Sequence, residues 1–274
     1  MKLENEIQVV ETAINGDRQS LEKIIRFLQS DIYNLSVRFL WNTLDAQDAT
    51  QEILIKIITH LSTFKGDSSL KTWSYRVATN YLINAKKSFA EKNTLSLDEF
   101  SVYIKSGLDH REYDQPDKDL LALEVKLSCS TGLLLCLTRE QRIAYLLGEV
   151  FEVESNQGAY ITETTAENFR KRLSLAREKI RSFMQGHCGL VNPDNPCRCH
   201  KRIFNGLENK RINPKQLNFA DKFSEKEVVS QVEELITVAA LYKTQPQYDT
   251  PEKIINDIKN LIESGKFPIL GELN

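Results

Sequence analysis

Apolar residues recur along this chain with the spacing of helices and not of strands. Leu21, Ile24, Ile25 and Leu28 fall at i, i+3, i+4 and i+7, the stripe of a helix packed on one side. Asp17 is placed to cap that helix. A second helix is expected after Asp45, burying Ile53, Leu54, Ile57, Ile58 and Leu61. Loop and capping residues at 64–69 break the pattern, and a third helix from Leu70 to about 87 carries Trp73, Val77, Tyr81 and Leu82. Farther on, Thr138 with Gln141 and Thr164 with Glu167 match the capping-box spacing, in which a hydroxyl and a carboxylate or amide satisfy each other's backbone donors. The first opens a helix through Ile143, Leu146, Leu147 and Val150. The second runs to about Met184 through Phe169, Leu173, Ala176 and Ile180. Two capped helices joined by a turn-like segment suggest a helix-turn-helix. Near the C-terminus, Ser224 and Glu227 cap a helix reaching Tyr242. Thr250-Pro251 opens another, with Ile254, Ile255, Ile258, Leu261 and Ile262 on one face and Gly265 at its end.

Composition agrees with this pattern. Eleven Gly and seven Pro in 274 residues are too few for the turn-rich sandwiches and propellers. An all-α fold is expected: a bundle over 1–90, a helix-turn-helix domain over 128–186, and a helical C-terminal extension over 187–274. Between the first two, 91–127 reads as an acidic linker, since 91–124 holds nine acids and four bases. The net charge of −2 excludes a uniformly basic coat, so any nucleic-acid surface must be local. No apolar stretch approaches the roughly 18 residues of a membrane span, and the first residues, MKLENEIQVV, lack a secretory pattern. Five cysteines, an odd number, suit a reducing compartment. The expectation is a cytoplasmic protein with no membrane partner.

Four clusters carry candidate chemistry. Asp45, Asp48 and Glu52 recur at i, i+3 and i+7, so they share one helix face; this suits a solvated surface or a dock for a basic partner. From 65 to 87 five bases stand against one acid, interleaved with Trp73, Tyr75 and Tyr81. Cations beside planar rings suit a single strand of nucleic acid, and equally a helix whose rings pack inside. The helix from Thr164 carries Arg170, Lys171, Arg172, Arg177, Lys179 and Arg181, a composition that fits a groove-reading helix or a bare basic surface. Finally, Cys188, Cys197 and Cys199 cluster with His187 and His200. Cys188, Cys197, Cys199 and one of the two histidines would suit zinc; neighbouring cations would instead lower thiol pKa values and favour redox sensing; or the thiols are incidental to a loop. Asp48, Glu52 and Asp67 form no nucleophile–base pair or phosphate loop, so the chain does not read as an enzyme.

Three of these clusters share a resemblance. Residues 45–52 (Asp-Ala-Gln-Asp-Ala-Thr-Gln-Glu), 64–69 and 72–80 (Thr-Trp-Ser-Tyr-Arg-Val-Ala-Thr-Asn) resemble the region-two domain of bacterial RNA polymerase sigma factors, most closely the extracytoplasmic-function (ECF) group. Residues 137–142 and 166–177 resemble that group's region four. The resemblance covers about 10–87 and 130–184, in family order. It implies a promoter-specificity subunit of core RNA polymerase. Asp45, Asp48, Gln51 and Glu52 would bind the clamp helices of the largest subunit. Lys65, Asp67, Ser68, Lys71, Arg76 and Asn80 would capture the melted non-template strand of the −10 element. Thr164, Thr165, Asn168, Arg170, Lys171 and Arg172 would read the −35 element. The stretch 156–161 departs from the family pattern by lacking its Ile-Ala pair. An anti-sigma protein, or the chain's own C-terminal extension, is the candidate to mask these surfaces. The rival reading is a sigma-like sensor or adaptor whose Cys-rich tail binds metal or a protein.

Overall fold

The computed structural model describes residues 5–86, 89–92, 95–220, 237–243 and 245–263. In chain order the helices are α1 (Glu6–Ile14), α2 (Arg18–Leu40), α3 (Thr43–Thr59), α4 (Leu70–Asn84), α5 (Phe89–Lys92), α6 (Leu97–Ser106), α7 (Lys118–Leu134), α8 (Arg139–Tyr145), α9 (Ser155–Ile161), α10 (Ala166–His187), α11 (Ile203–Glu208), α12 (Val238–Lys243) and α13 (Glu252–Glu263). No strand occurs among the described residues, as the apolar spacing requires. The protein is all-α. None of these helices is long and apolar enough to cross a membrane. Two compact units result, one drawn from 1–88, 153–169 and 247–274, the other from 89–152 and 170–246.

The first unit is built on α2, α3 and α4. The Asp17 carboxylate accepts the Ser20 N–H at 3.0 Å and so starts α2. Leu21, Ile24, Ile25 and Leu28 are all buried, as are Ile53, Leu54 and Ile57 of α3, which packs on α2. The start of α3 lies two residues before Asp45: Asn42 Oδ1 accepts the Asp45 N–H at 2.9 Å. Helix α4 is capped twice. Ser69 accepts the Thr72 N–H at 3.1 Å, and Glu6 of α1 accepts the Leu70 N–H at 2.7 Å. Two of its orphan donors are thus held, which fixes the 64–69 loop against α1.

The C-terminal extension returns to this unit. Ile254, Ile258 and Ile262 of α13 are buried against α2 and α3, each gaining about 1.5–3 kcal/mol of gross transfer energy. Buried Asn34 then acts as a clamp. Its amide donates to the Tyr248 carbonyl and its oxygen accepts the Tyr248 N–H, both at 2.8 Å. The Arg38 guanidinium donates to the same Asn34 oxygen at 2.7 Å and lies 4.9 Å from the Tyr248 ring centroid. Lys259 closes the contact on Glu22 at 2.7 Å.

The second unit centres on α7, which is buried along most of its length. Residues 97–106, inside the stretch read as acidic linker, form α6 behind a complete capping box of Ser96 and Glu99. The Arg202 guanidinium donates to the Tyr103 and Ile104 carbonyls at the end of α6. Glu91 is buried between Arg139 at 2.6 Å and Arg142 at 3.0 Å, and Arg142 also donates to the carbonyls of Leu134, Leu135 and Leu137. A buried pair of this kind stands only when its remaining donors are satisfied. Buried Glu124 accepts three backbone N–H groups, from Asn218, Phe219 and Ala220, and so holds the extension's loop. In α12, Tyr242 donates to the Ser130 carbonyl at 2.9 Å and meets Tyr145 edge-on. The rest of the helix expected before Tyr242, over 225–236, and Gly265 lie outside the described residues.

Candidate nucleic-acid interface

Helix α4 presents its polar side, and the loop before it, to a cavity of about 810 Å³. Lys56 and His60 from α3, Lys65, Asp67 and Ser68 from the loop, and Trp73, Arg76, Asn80 and Tyr81 from α4 line it. Gly66 sits at φ +78, the left-handed conformation a side chain resists, and this turns Lys65 and Asp67 toward the opening. Trp73 is buried at 7% exposure and stacks edge-on with Phe64 at 5.8 Å. It therefore serves the core and the cavity wall together. Five of the six residues expected to capture a strand (Lys65, Asp67, Ser68, Arg76 and Asn80) thus share one cavity. Lys71 does not join them. Its ammonium is paired with Asp31 at 2.9 Å and lies 5.7 Å from the Tyr75 ring. Tyr75 is itself buried, and burial with the nearby Asp31 holds its phenol well above the usual range.

The cavity has a second wall that the sequence pattern does not announce. Helix α9 packs on α4 and contributes Tyr160; the turn after it contributes Glu163. The Arg76 Nε donates to Glu163 Oε1 at 2.8 Å, and the Asn80 amide donates to Oε2 at 3.1 Å. The Arg76 guanidinium also lies 5.0 Å from the Tyr160 ring centroid. The hydrogen bond to Glu163 raises the Arg76 pKa further. Glu163 has φ 49, an uncommon conformation for a residue with a side chain.

The acidic stripe lies on α3. Asp48 and Glu52 are exposed, Asp45 and Gln51 half-buried. Their charges bear on Tyr81, whose phenol is raised by burial first and then by Glu52 and Asp48. One neighbour was not anticipated. Leu44, at 69% exposure the most exposed large apolar side chain described, stands at i−4 from Asp48, on the same face.

The stretch expected to form a helix-turn-helix contains a helix more than its sequence pattern suggests. Between α8 and α10, the segment 155–161 forms α9, and the turn 162–165 leads into α10. Gly158 makes this possible, because a Cβ there would meet the Phe169 ring at 2.3 Å. The cap of α10 is Thr165 and not Thr164: Thr165 Oγ1 accepts the Asn168 N–H at 3.1 Å, while the Thr164 N–H donates to the Ala159 carbonyl at 3.0 Å. Thr165, Asn168, Arg170 and Lys171 are exposed, Thr164 and Arg172 half-buried. None of the three cations makes an ion pair with a described residue.

The Cys-rich loop departs from two of its three readings. A zinc set of Cys188, Cys197, Cys199 and His200 is not assembled; among the described residues no group of three or more His, Cys, Asp or Glu could hold a metal ion. Cys199 is turned into the apolar cluster of Leu121, Ala122, Val125, Ile203 and Ile212, whereas His200 is exposed. The expected lowering of thiol pKa values is also reversed. Burial pushes Cys197 up to about 11 and Cys199 well above its usual value, outweighing Arg198, Arg202 and Lys126. Arg198 is already committed to the carbonyls of Asn195, Cys197 and Pro193. Thiols raised in this way are poor nucleophiles, and Cys199 packs against that apolar cluster.

Comparison with known proteins bears on the same segments. Residues 24–90 match the family model for sigma-70 region 2. The RNA polymerase sigma-H factor of Pseudomonas aeruginosa is 27% identical over 187 residues, covering 66% of this chain and 95% of that protein. The ECF RNA polymerase sigma-E factor of Haemophilus influenzae is 25% identical over 181 residues, or 65% of this chain and 94% of the relative. RNA polymerase sigma factor YlaC of Bacillus subtilis is 28% identical over 172 residues, or 61% and 93%.

Proposed function

We propose that this chain acts as a transcription initiation factor of the ECF group of RNA polymerase sigma factors and divides its work among the three surfaces described above. The exposed stripe on α3, Asp48 and Glu52 flanked by Asp45, Gln51 and Leu44, docks on the clamp helices of the polymerase's largest subunit. Two carboxylates offer steering and an exposed leucine offers buried area, the combination that gives both rate and affinity. The cavity on α4 takes bases of the melted non-template −10 strand, with Arg76, Asn80 and Lys65 toward the backbone and Trp73 and Tyr81 as ring surfaces. Helix α10 enters the major groove of the −35 duplex, Asn168 and Lys171 toward base edges, Arg170 and Arg172 toward phosphate. The work is done in the cytoplasm.

The observation that carries this reading is the convergence of five separately expected residues on one cavity lined by cations and rings. An anti-sigma protein would act on the stripe or on α10, since both are open. Masking by the C-terminal extension is the alternative to an anti-sigma protein; α13 itself leaves Asp48 and Glu52 exposed. Run-off transcription with purified core polymerase tests the whole: the chain should confer promoter-dependent transcripts, and Asp48→Lys should abolish core pull-down while leaving the fold intact. A sensor or adaptor that had kept the scaffold would give no promoter-dependent transcript.

A further inference from the structure

We infer that Glu163 occupies the anion seat of the single-strand site, so that its carboxylate and a strand phosphate exclude each other on Arg76 and Asn80. The inference rests on the reading of the α4 cavity given above and adds an internal competitor to it.

The geometry is that of ligand recognition more than of a surface ion pair. A planar guanidinium donates to one carboxylate oxygen and a side-chain amide donates to the other. The same set of fixed donors fits two oxygens of a phosphodiester. Tyr160, one turn earlier in the same segment, sets its ring against the guanidinium at 5.0 Å. A ring and an anion at this spacing reproduce the two features of a nucleotide that such a cavity would recognise.

The backbone points the same way. Glu163 stands at φ 49, where glycine would be the unstrained choice. The turn needs no charged side chain there: its closure is carried by the Thr164 N–H on the Ala159 carbonyl and by the Thr162 hydroxyl on the Gly158 carbonyl. The carboxylate serves the contact with α4 and not the turn. The contact is also reversible. Both side chains remain partly exposed, 39% for Arg76 and 46% for Glu163, so water and salt compete with it. Strand entry then requires the Glu163 carboxylate to leave Arg76 and Asn80, which couples the turn before α10 to the −10 site within one chain.

Fluorescence anisotropy on the full chain tests this, with a labelled, mixed-sequence single-stranded DNA 15-mer as the probe. Glu163→Gln removes the charge, and Glu163→Gly suits the backbone and guards against misfolding. Both should bind the probe roughly two- to fivefold more tightly than the unaltered chain, the range of an exposed ion pair, with the gain fading as salt rises. Arg76→Ala/Asn80→Ala should bind weakly whether or not Glu163 is altered. Equal affinity for the unaltered chain and both Glu163 variants, with binding still dependent on Arg76 and Asn80, would overturn the competition and leave the site standing. Affinity that does not depend on Arg76 and Asn80, or no binding by any chain, would overturn the site reading and the competition with it.

Discussion

Helices α4 and α10 are both basic, both carry the sequence signature of a nucleic-acid reader, and yet differ in what their cations are doing. On α4, Lys71 is held by Asp31 and Arg76 by Glu163. On α10, Arg170, Lys171 and Arg172 are without ion-pair partners among the described residues. A basic run therefore does not by itself mark a surface ready to bind. The charge available to phosphate is what remains after neighbouring carboxylates are satisfied, and those neighbours come from distant sequence: Asp31 is 40 residues from Lys71, Glu163 87 from Arg76. On the reading proposed above, the duplex reader is open, while the strand reader exchanges an internal anion for an external one.

The sharpest way to break this contrast is to remove the α4 donors alone. Arg76→Ala/Asn80→Ala deletes charge-assisted bonds worth about 1.5–3 kcal/mol each. Open-complex formation, read by permanganate footprinting, should fall by more than about tenfold, while binding to a −35 duplex stays unchanged. Next is the wall that Glu163 stands on. Gly158→Ala forces a methyl against the Phe169 ring and should cost about 1–3 kcal/mol, visible as an earlier urea midpoint with unchanged slope. On α10 the expected change is smaller and of another kind. Arg170→Ala or Arg172→Ala should lower the salt slope of duplex binding by about one and weaken all sequences alike. Smallest is Lys71→Ala, whose exposed pair with Asp31 is worth less than about 1 kcal/mol; thermal unfolding should barely move.

Much of the fold is readable from the chain because the relevant physics is local. The stripe of Leu21, Ile24, Ile25 and Leu28, the caps Asp17 and Thr138, and the α13 stripe of Ile254 and Ile258 each depend on residues within two turns, and the structure buries or bonds them as expected. What escapes is non-local or weakly patterned. Helix α9 has a glycine and few apolar residues, and the Phe169 ring fills the room that Gly158 leaves. Helix α6 is hidden in an acidic stretch whose charge hides its two buried positions, Phe100 and Ile104. The cap of α10 moved one residue because Thr164 is used to close the turn. The thiols follow the same rule: nearby cations are visible in sequence, burial is not, and burial is the larger influence on Cys197. Of the candidate site, the α4 residues were legible as a composition; Tyr160 and Glu163 were not, since a lone acid in a turn carries no pattern.

The affinity of the unaltered chain and of Glu163→Gln for the single-stranded 15-mer, compared across a salt series, tests the exchange of anions most directly. Glu163→Gln should bind more tightly at low salt and converge with the unaltered chain as salt rises, because the strand then displaces no carboxylate from Arg76 and Asn80. Equal affinity at every salt concentration would contradict the account, for it would mean that the strand displaces nothing from Arg76 and Asn80.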